Sequence, residues 1–153
     1  MSASKFSARP PGVTFLAIVN GIGLVVTLLF WAAVLFGGIA QRPWDLTEVT
    51  DRANAATTWG FGIGDLLWSS ILLLASFIGL LRLTTWGWTA AQMTNALWVY
   101  SMTVVIIRDS YSRFTPGTFV FTPFAVIALW ATAYLWSRRG LFWKQALNKG
   151  AEA

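Results

Sequence analysis

The chain has 153 residues, of which 56% are hydrophobic and only 11% charged, with a formal net charge of +5. A soluble domain carries about 25% charged residues, so this set cannot build a water-covered surface and points to one domain made for lipid. Cys and His are both absent, which excludes disulfides, thiolate and imidazole metal centres, and histidine acid–base chemistry.

Residues 1–12 are polar and basic, with Lys5 and Arg9 ahead of a Pro10-Pro11-Gly12 break. The apolar run behind them is much longer than the ~7–15 residues of a cleavable signal core, so residues 13–39 read as a first membrane span. Asn20, Gly23, Thr27, Trp31 and Val34 recur along it at helical spacing, giving a face of small and polar groups for close helix packing. A polar connection over 41–58 follows, with Arg42, Asp45, Glu48, Asp51 and Arg52. A loop of this length is either a plain linker or a lid or partner-facing surface. Pro43-Trp44-Asp45 is expected to start a short surface helix with Trp44 at headgroup depth.

The second span, 60–83, contains one ionisable residue between Gly60 and Leu81, namely Asp65. At 100° per residue Asp65, Ser69, Leu72 and Ser76 share a face, with Gly79 close to it. Gly60-Phe61-Gly62-Ile63-Gly64 lacks the strand and spacing of a phosphate loop, and is read as close backbone packing at a helix entrance. A tight turn around Arg82 and Trp86 leads to a third span, 86–107. There Gln92 and Asn95 share a face with Trp88, Val99 and Met102, and their amides are expected to bond across helices. After the polar link 108–113 the fourth span covers 116–137, with Thr122, Ala125, Leu129, Thr132 and Trp136 on one face. Pro123 is expected to kink the outer end or to initiate the regular helix. In the tail, 138–153, Leu141, Phe142, Trp143 and Leu147 alternate with Lys144 and Lys149 as in a short amphipathic helix lying on the membrane.

These segments define an all-α integral membrane protein: an antiparallel four-helix bundle with a short amphipathic C-terminal tail. Four spans place both ends of the chain on one side, together with Lys5, Arg9, Arg82, Arg138, Arg139, Lys144 and Lys149. The other side has Arg42, Arg52, Arg108 and Arg113, balanced by Asp45, Glu48, Asp51 and Asp109. Lys and Arg collect in cytoplasmic segments, so a multi-pass cell-membrane protein with cytoplasmic termini is expected. The basic residues form no stripe and no nucleic-acid motif, and nucleic acid is not an expected partner. The expected partners are the bilayer and either a partner membrane protein or a second copy of the chain.

Counted from the outer ends, Asp65, Trp31, Tyr100, Thr103 and Thr122 lie about one to two turns deep, as one outward-facing polar layer. Asn95 and Gln92 gather with Asn20, Ser76 and Thr132 toward the inner half and complete the candidate binding set. A carboxylate inside a membrane is a functional hypothesis by default; its structural alternatives are a hydrogen bond to Tyr100 or Thr122, or a pair with Arg108. The ten Trp residues read as interface anchors and bundle packing rather than a ligand cage. In layout, over its whole length, the chain resembles the small prokaryotic four-span membrane proteins. It lacks the Trp-Asn-Pro signature and fifth span of the tryptophan-rich sensory proteins, and the Asn and Phe pattern of fluoride channels. The expected function is non-enzymatic: an accessory or small-molecule and lipid-binding protein with a polar layer around Asp65. A small oligomeric channel or ion-coupled transporter using Asp65 is the alternative, and an intramembrane enzyme ranks last. No cofactor and no metal are expected.

Overall fold

Prolines open the first helix, because a residue that cannot donate a backbone hydrogen bond loses nothing in a first helical turn. Pro10 precedes α1 (Pro11–Phe36), which ends where the Gly37 N–H reaches the Ala33 carbonyl at 3.0 Å and the Ala40 N–H reaches Val34 at 2.9 Å. Gly38, with φ of +76°, reverses the chain there, a conformation that suits glycine. The structure, a computed structural model, describes residues 9–151. Lys5, the Lys149 side chain and residues 152–153 lie outside the described residues.

The short surface helix expected at Pro43 is present as a single turn, Pro43–Asp45. Trp44 sets its ring edge-on to Trp59 at 5.1 Å, and the Trp59 indole N–H donates to the Gln41 carbonyl at 3.1 Å. The rest of the polar connection is not irregular. The chain is helical from Val49, so α2 (Val49–Leu81) has 33 residues. Ala53, Ala55 and Ala56 favour helix despite the neighbouring charges. At ~1.5 Å per residue α2 exceeds the ~30 Å of a hydrocarbon layer, and its polar start projects beyond the apolar part.

Within α2 the turn Asp65–Ser69 is a π-helix, in which the Ser70 N–H bonds to the Asp65 carbonyl five residues back. The Ser70 hydroxyl reaches the same carbonyl at 3.1 Å. This wider turn moves the inward face on by one residue. Ser70 and Leu73 are buried where straight periodicity placed Ser69 and Leu72, and Leu73 is 0% exposed.

The turn into α3 (Thr85–Ser110) contains Leu83 at φ of +51°, and the Thr84 side chain caps the helix by accepting from the Gly87 N–H at 3.2 Å. After the link at 111–115 comes α4 (Pro116–Ser137), again opened by proline. Pro123 lies inside α4, so the helix continues through it rather than starting there. The tail forms α5 (Arg139–Ala151). It does more than lie on a surface: Phe142 is 0% exposed within the bundle core, and Trp143 meets Trp88 edge-on at 5.3 Å.

Successive helices run antiparallel. Arg9 at the start of α1 donates to the Leu81 carbonyl at the end of α2, and Trp88 near the start of α3 donates to Leu135 near the end of α4 at 2.9 Å. The described residues contain no strand. At the base, the end that holds the Leu81–Thr85 turn, Val13, Leu16, Leu80, Ala91, Leu135 and Phe142 make one continuous core. At the opposite end, the mouth, the core divides into a Trp31, Val34 and Leu35 group and a Met102, Phe121 and Ala125 group. Outward, Ile18, Ile22, Leu29, Leu67, Ile71, Val126 and Leu129 are exposed. All four long helices are long and apolar enough to cross a membrane.

Candidate functional site

Asp65 faces inward from the π turn of α2, half-buried. Its Oδ2 accepts the Trp31 indole N–H at 2.8 Å, and its Oδ1 accepts the Ser69 hydroxyl at 2.8 Å. Hydrogen bonds of this kind each contribute about 0.5–1.5 kcal/mol. Trp31 reaches this position because α2 is bare beneath it: a methyl group on Gly62 would lie 2.7 Å from Trp31 Cε3 and 2.9 Å from Leu35 Cδ1. Close packing in the glycine run therefore belongs to Gly62, in mid-helix and not at a helix entrance. Gly60 and Gly64 meet nothing within 4 Å.

The divided core of the mouth encloses a cavity of about 790 Å³. Its inner wall is aromatic, with Phe30, Trp31, Trp98 and Phe121, and Asp65 stands at its edge. Phe30 fixes this wall by edge-on contacts to Trp31 at 5.2 Å and Phe121 at 4.8 Å. Asp51, Asn54, Arg108 and Arg113 line the polar end. A second, more open cavity of about 450 Å³ lies on the other side of Asp65, between Trp68 and Tyr100. A third, of about 20 Å³, is bounded by Thr27, Asp65, Ser69, Thr94 and Ser101.

Among the residues expected to form the polar layer, the structure joins Trp31 and Asp65 directly. Tyr100 lines the second cavity and is 65% exposed. Thr103 is exposed and returns its hydroxyl to the Val99 carbonyl at 2.7 Å, while Thr122 returns its own to Thr118 at 2.6 Å. Neither Tyr100 nor Thr122 is the hydrogen-bond partner of Asp65; Trp31 and Ser69 are. Gln92 and Asn95 lie toward the base, where Gln92 donates to the Thr132 carbonyl at 3.2 Å and accepts from Asn95 at 3.4 Å. Only the Gln92 amide ties α3 to α4; Asn95, expected to bond across helices, bonds to Gln92 within α3.

Arg108 does not pair with Asp65. It turns to its neighbour Asp109, with Nη2–Oδ1 at 2.7 Å and Nε–Oδ1 at 2.8 Å. Asp109 is 2% exposed and also accepts from the Thr115 N–H at 2.9 Å, the Thr115 hydroxyl at 3.0 Å and the Thr118 hydroxyl. This carboxylate closes the α3–α4 link at the cavity rim and sits at the start of α4, where helix polarity favours a negative charge. The sequence placed Asp109 only as a charge balancing the outer arginines and did not show its role in closing the α3–α4 link, although a Thr-Pro helix start six residues after an acid was visible. Nor did it show Phe30, Trp98 and Phe121, which carry no polar signal. In comparisons of sequence and of fold, the chain matches no protein family, no curated protein and no solved structure.

Proposed function

We propose that this protein crosses a cell membrane four times and binds a small amphiphilic, lipid-like molecule in the mouth cavity, without catalysing a reaction. The carrying observation is the graded lining of the 790 Å³ space, aromatic within and polar toward Arg113, Asn54 and Asp51. A volume of this size suits one drug-sized or lipid-like ligand. Its inner wall suits an acyl or ring system, and its polar end a headgroup. The continuous base core of Leu80, Leu135 and Phe142 supports binding over transport, because a transported species would have to pass it. A partner membrane protein or a second copy of the chain would meet the mouth at the projecting start of α2.

Native mass spectrometry of the protein in mild detergent is expected to reveal one reproducible small-molecule adduct. Val105→Trp, which places an indole in the cavity, is expected to cut its occupancy at least about tenfold, corresponding to about 1.4 kcal/mol. An adduct-free wild type, or an adduct untouched by Val105→Trp in a folded variant, refutes the reading.

The mouth is assigned to the outer face and the base, with Arg9, Arg82, Arg138 and Arg139, to the cytoplasm. This rests on the excess of basic residues at the base. The chain has no native Cys, so single cysteines report cleanly. In intact cells a membrane-impermeant maleimide is expected to label Gln41→Cys and to spare Gly140→Cys; the reverse pattern inverts the assignment.

A further inference from the structure

Toward the base, residues 70–81 of α2 pack along α3 until the two backbones touch at Gly79 and Gly87. Above the π turn the same helices part. The gap between them is the open cavity of about 450 Å³, with Gly60, Gly64 and Trp68 on its α2 side and Leu97 and Tyr100 on its α3 side. The two glycines leave the α2 wall bare, since a methyl group on either would meet nothing within 4 Å. Ile63 and Leu67, beside the gap on α2, are exposed, so the cleft opens sideways onto the surface that faces lipid. The mouth cavity lies directly behind it. Both spaces are lined by Phe61, Asp65 and Ser101, and these three side chains are the wall between them. That wall is thin: Ser101 is small, Phe61 is a single ring, and Asp65 has both oxygens engaged by Trp31 and Ser69.

A long-chain amphiphile resides in the leaflet, because every methylene carried through water costs free energy in proportion to its area. Entering the mouth from above would wet the whole chain. Entering through the cleft would not, since a chain could pass from lipid to the aromatic inner wall across one row of side chains. The base offers no such passage, because its core is continuous. Trp68 and Tyr100, 68% and 65% exposed at the cleft, are rings of the kind that sit at headgroup level with an apolar body toward the chains. We propose that the α2–α3 cleft is a lateral opening that takes an acyl chain of a membrane lipid from the surrounding leaflet, past Phe61, Asp65 and Ser101, into the mouth cavity. The inference rests on the mouth being an amphiphile site, and it adds the class of ligand, a chain-bearing lipid, and its route.

The test places the full chain in phosphatidylcholine nanodiscs doped with a phosphatidylcholine that carries a diazirine in mid-chain, and maps the photo-crosslinks by peptide mass spectrometry. In the wild type, label is expected at Leu97 in the cleft and at Phe30 and Phe121 on the inner wall of the mouth. Phe121 is 7% exposed, so bulk lipid does not reach it. Gly64→Phe fills the cleft without touching the core, because the position meets open space. It is expected to cut the inner-wall label at least about tenfold, while the exposed Val126 and Leu129 of α4 label as before. Gly60→Leu is expected to act in the same direction, so a Gly64→Phe chain that fails to fold does not decide the matter. Inner-wall label that persists in both variants overturns the cleft as the route and leaves the mouth site standing. An unlabelled inner wall in the wild type overturns the route too. With an adduct still present in the native mass spectrum, the ligand then enters from water; with no adduct, the mouth site falls as well. A second copy seated in the cleft gives the same unlabelled wall, in discs that hold two chains.

Discussion

Asp109→Ala is expected to destabilise the fold by about 2–4 kcal/mol, because it leaves the buried Thr115 and Thr118 donors without an acceptor, while the half-exposed Arg108 can turn to water. The carboxylate is the acceptor for five separate donors: two guanidinium nitrogens of Arg108, the Thr115 N–H, and the hydroxyls of Thr115 and Thr118. A methyl group satisfies none of them, and Arg108 makes no other ion pair among the described residues. At about 2–4 °C per kcal/mol for a chain of this size, Tm in detergent should fall by about 4–16 °C. Asp109→Asn keeps an acceptor oxygen but turns an amide N–H₂ toward donors, so its loss should be intermediate. Because Arg108 and Thr115 line the mouth cavity, the same variant should also weaken binding of the amphiphile proposed for it. A Tm change below about 2 °C for Asp109→Ala would show that the five bonds hold nothing of weight.

The four long helices were legible because apolar runs of helical length leave the backbone no other way to satisfy its hydrogen bonds in lipid. Both ends of α1 and the start of α4 follow the Pro and Gly punctuation closely. The early start of α2 was not legible: Glu48, Asp51 and Arg52 give it the charge pattern of a loop, and only its alanines argue for helix. The π turn was hidden too, since it depends on the Asp65 carbonyl taking Ser70 and not on composition. Asp65 announced itself as the one charge in an apolar run, and Ser69 followed from the four-residue repeat. Its partner Trp31 was reached by counting depth along two spans. The same count put Tyr100 and Thr122 at that level but could not fix rotation about the helix axis. Tyr100 therefore came out facing outward, and Thr122 facing its own backbone. The aromatic cavity wall was invisible for a simpler reason. Phe30, Trp98 and Phe121 look like any other packing residue until the gap between the two mouth clusters appears.

Glycine-to-alanine changes, chemically identical, are expected to give opposite results at two places in this chain. Gly79 on α2 and Gly87 on α3 meet backbone to backbone. A methyl group on Gly79 would lie 2.2 Å from the Gly87 Cα, and one on Gly87 would lie 2.2 Å from the Gly79 carbonyl carbon. A side chain can rotate away from such a clash; main-chain atoms held in two helices cannot. Gly79→Ala or Gly87→Ala must push the helices apart at the base, beside the Leu80 and Ala91 positions of the one continuous core. The separation also strains the turn in which Thr84 caps Gly87 and Leu83 holds a positive φ. Overpacking typically costs about 1–3 kcal/mol, and backbone contact places these sites at or above its upper end. Gly60 and Gly140 meet nothing within 4 Å, so Gly60→Ala and Gly140→Ala gain helix propensity, up to about 0.5–1 kcal/mol, at no steric cost. Size-exclusion profile and Tm in one detergent should therefore divide the four variants into two poorly folded proteins and two at or above wild-type stability. If Gly87→Ala behaves like Gly60→Ala, α2 and α3 are not in backbone contact, and the base is not the rigid floor that the mouth cavity requires.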